Sequence, residues 1–211
     1  MLKKIFAALT VLVMLFALCA CSNNVVDDTS VPDGCLLFKN DAADYTFIYN
    51  EDWTVDYQTG ISSLQKNTAN SSVAATYARI SVMAFDGGDC ESVREYWEAY
   101  KSEIKANYGS FAVDEDSKET DDSGKTTEGI EIKLDDAAAL RVKYTADLNR
   151  SEDTSAEKIA YTFEQVICLR NGSMYIITFS ARGEDYDTCL AGFEQVISSF
   201  EFKKDLISNL F

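Results

Sequence analysis

Alternating apolar and polar positions run along most of this chain and predict β-strands. Residues 45–49 place all three of their aromatic side chains on one side of the backbone, as a half-buried strand does. A short strand is expected at 61–64. Residues 75–85 also alternate, but apolar side chains fall on both faces, which predicts a sheet that is covered on both sides.

Further strands are predicted in the second half of the chain. The pair Asn171-Gly172 separates two apolar runs and tolerates the positive φ angles of a type I′ turn, so it predicts a tight hairpin. Residues 121–124 and 135–138 mark two more turns, and a longer polar loop is expected at 149–157. The strands between these turns are expected at about 111–118, 126–134, 139–147 and 159–170.

Two segments have helical spacing instead. The first predicts an amphipathic helix after the turn at 86–89, with Gly109 as its C-cap. The second predicts a final helix after 183–185, and the segment from Glu201 onward is expected to leave the core. The buried stripes are Val93, Tyr96, Trp97, Tyr100 and Ile104 in the first helix, and Leu190, Phe193, Val196 or Ile197, and Phe200 in the second.

The order of these elements predicts the fold class. Two helices are segregated from strands that are mainly antiparallel, so we expect an α+β fold. With apolar residues on both faces of the sheet, the expected architecture is a mainly antiparallel β-sheet flanked by helices, an α/β/α sandwich. The residues after position 20 are enough for one domain with a full hydrophobic core.

The N-terminus has the layout of a bacterial lipoprotein signal. Lys3 and Lys4 precede an apolar run over 5–20, which is shorter than the roughly 20 residues of a spanning helix. Leu18-Cys19-Ala20-Cys21 fits a lipobox, in which the Cys21 thiol takes a diacylglycerol; an ordinary signal peptide and an uncleaved anchor are the alternatives. We expect a signal peptide at 1–20, a lipidated tether at 21–34, a domain at 35–204 and a tail at 205–211, lipid-anchored on the outer face of the cell membrane.

The charge of the chain restricts its partners. The net charge is −16, and it becomes −18 when Lys3 and Lys4 are lost with the signal. Such a surface repels nucleic acid and anionic headgroups, so nucleic-acid binding is excluded. Solubility of an exported protein explains this acidity, and binding of divalent cations or of a basic partner is the alternative.

The chain contains no histidine, which removes several kinds of catalytic and metal site. Ser-His-Asp and Cys-His nucleophile pairs, HExxH metalloprotease sites and His-ligated transition metals all need that residue. The acidic pairs at 121–122 and 135–136 do not follow the spacing of a calcium-binding loop and are interpreted as solvated turns. We therefore expect no cofactor, no metal site and no catalytic residue.

Four cysteines fall in the expected domain: Cys35, Cys90, Cys168 and Cys189. Outside the cytoplasm they are candidates for disulfides, and buried free thiols are the alternative. Four cysteines allow three full pairings, and a bridge between Cys168 and Cys189 is the pairing we expect, because a strand and the helix packed on it would bring them together.

Two stretches of the chain resemble the PsbP-like lipoproteins. They are Tyr-Thr-Phe-Ile-Tyr-Asn-Glu-Asp-Trp at 45–53 and Asn-Gly-Ser-Met-Tyr-Ile-Ile-Thr-Phe-Ser-Ala at 171–181, the latter followed by Tyr186 and by 193–202. The resemblance implies a PsbP/Mog-type α/β/α sandwich and a non-catalytic accessory module that binds protein partners, such as photosystem II or the GTPase Ran. Metal-binding histidines described in plant members have no counterpart here, and no functional residue carries over.

The sequence thus predicts an extracytoplasmic lipoprotein that acts as a binding or accessory module for a protein or cell-envelope partner. A solute-capturing lipoprotein of a transport system is the first alternative, and it would need a pocket with convergent polar groups. A carboxylate-based envelope enzyme is the second, and it would need two acids facing each other across a cleft. The ligand, the oligomeric state and the type of envelope stay open.

Overall fold

The computed structural model describes residues 31–67, 77–149 and 158–203, in which the chain forms thirteen strands and two α-helices. The helices are α1 (Val93–Asn107) and α2 (Gly183–Ser198), and a single 3₁₀ turn covers Glu115–Ser117. The strands are β1 (Cys35–Lys39), β2 (Tyr45–Asn50), β3 (Thr54–Gln58), β4 (Ile61–Asn67), β5 (Tyr77–Asp86), β6 (Gly109–Val113), β7 (Lys118–Thr120), β8 (Thr126–Glu128), β9 (Ile130–Leu134), β10 (Ala137–Asn149), β11 (Lys158–Arg170), β12 (Ser173–Arg182) and β13 (Glu201–Phe202).

Eight of these strands form one antiparallel sheet in the order β3-β4-β5-β12-β11-β10-β6, with β9 pairing a second part of β10. A smaller sheet has the order β1-β2-β13, and β7 and β8 form a separate hairpin. At the turn between β11 and β12, Asn171 and Gly172 have φ angles of 51° and 79°, and the flanking residues pair in register. The predicted hairpin and the α+β class are therefore confirmed.

One face of the eight-stranded sheet, here called the covered face, is buried along most of its width by α2 and the small sheet. Phe193 of α2 stacks on Phe179 of β12 with ring centroids 5.5 Å apart. From the small sheet, Tyr45 and Phe47 contribute aromatic rings that are almost fully buried. Alternate residues of each strand complete this core, which includes Leu64, Ile80, Val82, Val166 and Ile177.

The opposite face, here called the half-covered face, carries α1 over β6, β10, β11 and β12. Trp97 and Ile104 of α1 are buried there, as the helical spacing predicts. They pack on the strand residues of that face, among them Leu140, Val142, Tyr144, Ile167 and Ile176. The helix begins at the N-cap Ser92, whose Oγ accepts a hydrogen bond from the Glu95 N–H at 3.1 Å.

The expected strands at 111–118 and 126–134 are each divided in the structure. After β6 the carboxylate of Asp114 accepts the Asp116 N–H at 3.0 Å and starts the 3₁₀ turn. The second break is at Gly129, which has a φ of +89° and lies against Leu140. A Cβ at Gly129 would stand 2.6 Å from the Leu140 Cγ, so a side chain there would clash with the core.

Three smaller expectations are also wrong. Gly109 is not a C-cap, because the cap of α1 is Tyr108, which has extended backbone, and Gly109 already begins β6. Phe202 does not leave the core, since it pairs with Tyr45 and is buried. The sheet is not covered on both sides at β5, where Met83 lies on the open part of the half-covered face.

Several predictions concern residues outside the described ranges. These are the signal peptide at 1–20, Cys21, most of the tether, most of the loop at 149–157 and the tail at 205–211. Among the helices of the described ranges, none is both long and apolar enough to span a bilayer.

Candidate docking surface

The half-covered face is open over β3, β4 and β5, and apolar side chains lie on this open part. Ile61 and Met83 are paired across β4 and β5 and are each 38% exposed. Phe85 follows two residues later on the same face and is 37% exposed. The ring of Phe85 is 6.1 Å from that of Tyr96 in α1. We refer to Ile61, Met83, Phe85 and Tyr96 as the apolar strip.

Two aromatic side chains form the α1 side of the apolar strip. Tyr96 stacks on Tyr100 with ring centroids 5.6 Å apart and an interplanar angle of 22°. Burial raises the pKa of Tyr96 to about 12 and raises that of Tyr100 as well, so both hydroxyls stay protonated at neutral pH. This edge of the strip therefore combines ring surface with neutral hydroxyl groups.

Acidic side chains border the apolar strip. Asp86 follows Phe85 directly, Glu103 lies near the Tyr96 and Tyr100 hydroxyls, and Asp56 projects from β3 on the same face of the sheet. None of these three carboxylates forms an ion pair with another residue of the described ranges. A cation, Arg79, also lies on this face and donates from Nε to the Ser63 Oγ at 3.0 Å.

A second polar cluster joins α2 to the covered face. Glu164 is buried, and its carboxylate accepts hydrogen bonds from Arg141 and from the Tyr186 hydroxyl. Arg141 also binds Glu194 of α2, and the Lys143 Nζ lies 4.9 Å from the centroid of the Tyr186 ring. Burial, reinforced by the hydrogen bond to Glu164, raises the pKa of Tyr186. The Arg141 guanidinium binds the carboxylates of both Glu164 and Glu194, so this cluster links α2 to the sheet.

The predicted disulfide partners are both thiols, and they lie in the same hydrophobic core. Cys168 of β11 and Cys189 of α2 are both buried under the covered face. Burial raises the pKa of Cys168 to about 11 and also raises that of Cys189, so neither is readily ionised to the reactive thiolate. Their pairing stays a prediction. Cys35 and Cys90 are half-buried thiols.

The acidic pairs lie in turns, as expected. Asp121 accepts the N–H groups of Ser123 and Lys125, and the hydrogen bond from the Ser123 hydroxyl is the main cause of its lowered pKa. Asp135 and Asp136 have φ angles of 45° and 65° in the β9–β10 hairpin. Within residues 31–67, 77–149 and 158–203, no three carboxylate or thiol side chains come together as a metal site.

Comparison with known proteins decides the family. The model of the family described as PsbP-like protein matches residues 22–202. The chain belongs to this PsbP-like family. The predicted family is therefore confirmed, and the match covers the whole described body. A search of curated proteins gave no match.

Solved structures show the same fold at low sequence identity. Cyanobacterial PsbP (CyanoP) from Synechocystis sp. PCC 6803 has a TM-score of 0.51 and 10% identity, covering 82% of this chain and 95% of its own. LpqN from Mycobacterium tuberculosis, described as involved in cell envelope biogenesis, has a TM-score of 0.51 and 9% identity, covering 81% and 92%. The Ran-binding protein Mog1p from Saccharomyces cerevisiae has a TM-score of 0.50 and 7% identity, covering 84% and 98%. At these identities the likeness establishes the fold alone.

Sequence reasoning missed the apolar strip. The alternation at 75–85 was sufficient to place Met83 and Phe85 on the face opposite Ile80 and Val82, but it predicts a cover for them. The signal that would have revealed the strip is the number of predicted strands compared with the number of predicted helices. One helix about 10 Å wide cannot cover an eight-stranded sheet whose strands are about 4.8 Å apart.

Proposed function

We propose that this PsbP-like protein is a non-catalytic docking module, held on the outer face of the cell membrane by a lipid on Cys21. Membership of the family supports the accessory role, and the sequence around Cys21 supports the anchor. Two proteins of the same fold are described as Ran-binding and as involved in cell envelope biogenesis, which favours a protein partner in the envelope for this chain.

The apolar strip is the observation that carries this proposal. Ile61, Met83 and Phe85 are exposed next to one another. Contiguous apolar side chains are unusual on a protein surface, and such patches mark binding surfaces. The Phe85 ring of the strip packs against Tyr96, which stacks on Tyr100, so part of the strip is held by contacts within the protein. Preorganisation of this kind reduces the ordering cost of association.

The charge around the apolar strip defines the chemistry of the partner. The acids Asp56, Asp86 and Glu103 lack ion-pair partners among the described residues, in a chain of net charge −16. A complementary partner presents an apolar side chain at its centre with Lys or Arg around it. The proposed occupant is therefore an envelope protein with a basic surface around an apolar residue.

Photo-crosslinking in the producing cell tests the docking surface. A photoreactive phenylalanine analogue at Met83 in the full chain should give an adduct with one envelope protein. Phe85→Ala in the same chain should reduce the adduct about fivefold or more, because it removes part of the buried contact. Leu36→Ala is the matched control, since Leu36 is an apolar residue that is 46% exposed on β1, outside the strip.

The adduct also reports the predicted charge pattern. Mass spectrometry should map the crosslink to a partner segment with Lys or Arg beside an apolar residue, and the purified complex should weaken with Asp86→Asn or added salt. Absence of an adduct, an adduct that persists in Phe85→Ala, or an acidic contact segment would each contradict the docking surface.

The same strain tests the anchor separately. Cys21→Ala should abolish incorporation of labelled fatty acid, whereas Cys19→Ala, the neighbouring cysteine, should keep it. Continued labelling of the Cys21→Ala chain would refute the anchor. It would leave the docking surface to be judged on the crosslinks.

A further inference from the structure

A charged cleft lies on the other flank of α1 from the apolar strip, between the helix and the β7–β8 hairpin. Its volume is about 420 Å³, which is within the range of small-ligand pockets. Arg94, Glu98 and Lys101 line it from α1, at positions that share one side of the helix. The hairpin contributes Lys125, Thr126 and Glu128.

The walls of this cleft are fixed by hydrogen bonds. The Lys101 Nζ lies 2.7 Å from the Glu98 Oε2 and 2.8 Å from the Glu128 Oε2. Glu128 also accepts from the Trp97 Nε1 at 3.3 Å, and its carbonyl accepts from Arg94 at 2.8 Å. Burial would raise the pKa of Glu128, but these donors, Lys101 above all, lower it below its usual range. Lys101 and Glu128 therefore hold each other in place at the wall of the cleft.

Two cations that line the cleft keep hydrogen-bond donors that no described side chain uses. The guanidinium of Arg94 has five donor hydrogens, and the bonds to Glu128 and to Glu131 at 3.2 Å use two of them. The ammonium of Lys125 forms no hydrogen bond or ion pair with the side chains of the described ranges. Both cations line the same cavity, so together they provide a place for an anionic group.

The acids of the cleft restrict what that anion can be. Glu98 is largely exposed beside the bound Lys101, and it leaves one carboxylate oxygen for a ligand. A phosphate with two negative charges would be repelled by Glu98 and Glu128 together. A molecule with one carboxylate and one ammonium group would satisfy both the unused donors of Lys125 and Arg94 and the free carboxylate oxygen of Glu98.

We infer that this cleft binds a zwitterion with a carboxylate and an ammonium group, either a free amino acid or a short peptide with both ends free. The carboxylate accepts from Arg94 and Lys125, and the ammonium donates to Glu98. This site goes beyond the docking function, because it uses the opposite flank of α1 and no residue of the apolar strip.

Calorimetric titration of the mature, full-length protein tests the inference. The probes are L-alanine and L-alanyl-L-alanine, together with the dipeptide amidated at its carboxylate and the dipeptide acetylated at its amine. The dipeptide should bind saturably, and each blocked form should bind about tenfold more weakly, because each loses a charged hydrogen bond. Equal affinity for L-alanine assigns a free amino acid, and tighter binding of the dipeptide assigns a short peptide with both ends free.

Two lysine variants separate the cleft from a general charge effect. Lys125→Ala should weaken dipeptide binding about tenfold, whereas Lys133→Ala removes the same charge from an exposed position on β9 and should change it less than twofold. Glu98→Gln should weaken binding of the free dipeptide but not of the acetylated form. Absence of binding, or equal binding by Lys125→Ala and the unaltered protein, would overturn the site. Crosslinks from Met83 should not change in Lys125→Ala, so this site and the docking surface fail independently.

Discussion

The two faces of the eight-stranded sheet are built from the same alternating strands but are buried to different extents. On the covered face, α2 and the small sheet bury aromatic rings from several elements, and Phe47 and Phe193 are fully inaccessible. On the half-covered face, α1 buries a smaller core under Trp97 and leaves Met83 and Phe85 at the surface. The comparison teaches that the same pleated pattern contributes to stability where it is covered and is available for recognition where it is not.

The largest expected effect contrasts one phenylalanine from each face. Phe193→Ala should lower the free energy of unfolding by about 3 to 5 kcal/mol, because it leaves a cavity in a closed core. Phe85→Ala should lower it by less than about 1 kcal/mol, because the side chain is already partly in water. Urea denaturation of both variants measures the difference. Equal losses would mean that the open part of the sheet is as important for stability as the closed core.

A pH titration should sharpen the contrast through Tyr45. Burial under the covered face raises the pKa of Tyr45 to about 12, although the Ser62 hydroxyl, 2.7 Å away, opposes the shift. The folded protein thus holds this proton more tightly than the unfolded chain, whose tyrosine pKa is about 10. The associated stabilisation, roughly 2 to 3 kcal/mol, is complete below pH 10 and should be lost as the pH rises from about 10 to 12.

Chemical denaturation across that pH range measures the loss. Tyr45→Phe should make the curve less steep, and part of the slope should remain, because burial also raises the pKa of Tyr96 to about 12. An unchanged slope in Tyr45→Phe would show that this hydroxyl is as well solvated in the folded protein as in the unfolded chain.

The smallest expected effect concerns how α1 begins. Ser92→Ala removes the side chain that accepts the Glu95 N–H, and it should lower the free energy of unfolding by about 1 kcal/mol. Ser102→Ala is the matched control in the interior of the same helix, where alanine is the better helix former and the change should be neutral or slightly stabilising. Thermal unfolding of both variants compares them. A loss in Ser102→Ala as large as in Ser92→Ala would contradict the capping role.

Local chemistry was enough to predict much of the fold. The stripe that includes Trp97 and Ile104 predicts α1, and Asn171-Gly172 predicts the central hairpin, because each signal depends on residues close together in the chain. The role of Gly129 could not be predicted in this way. A side chain at position 129 is excluded by Leu140, which is distant in the chain and comes close only in the folded sheet. Gly192 is a similar case. A Cβ there would stand 2.8 Å from the Trp53 ring, a contact that only the packing of α2 creates.

The sites were harder to predict than the elements. The apolar strip depends on how far α1 extends across the sheet, which no local pattern encodes. The cleft depends on Lys101 of α1 meeting Glu128 of β8, two residues whose separation in the chain carries no recognisable motif. The lipid site at Cys21 differs from these two, because its prediction rests only on the sequence directly around it.

The small sheet joins the beginning of the described chain to its end, and this constrains the order in which the chain would finish folding if it is exported as we propose. Strand β2 lies between β1 and β13, and the Ile48 N–H donates to the Ser199 Oγ at 2.8 Å across 151 positions. In the export that we propose, a chain that crosses the membrane from its N-terminus delivers residues 45–50 early and residues 199–202 near the end. The aromatic side chains of β2 would then stay partly uncovered until translocation is nearly complete, and a chain truncated before Glu201 would lack the strand that pairs with this side of β2.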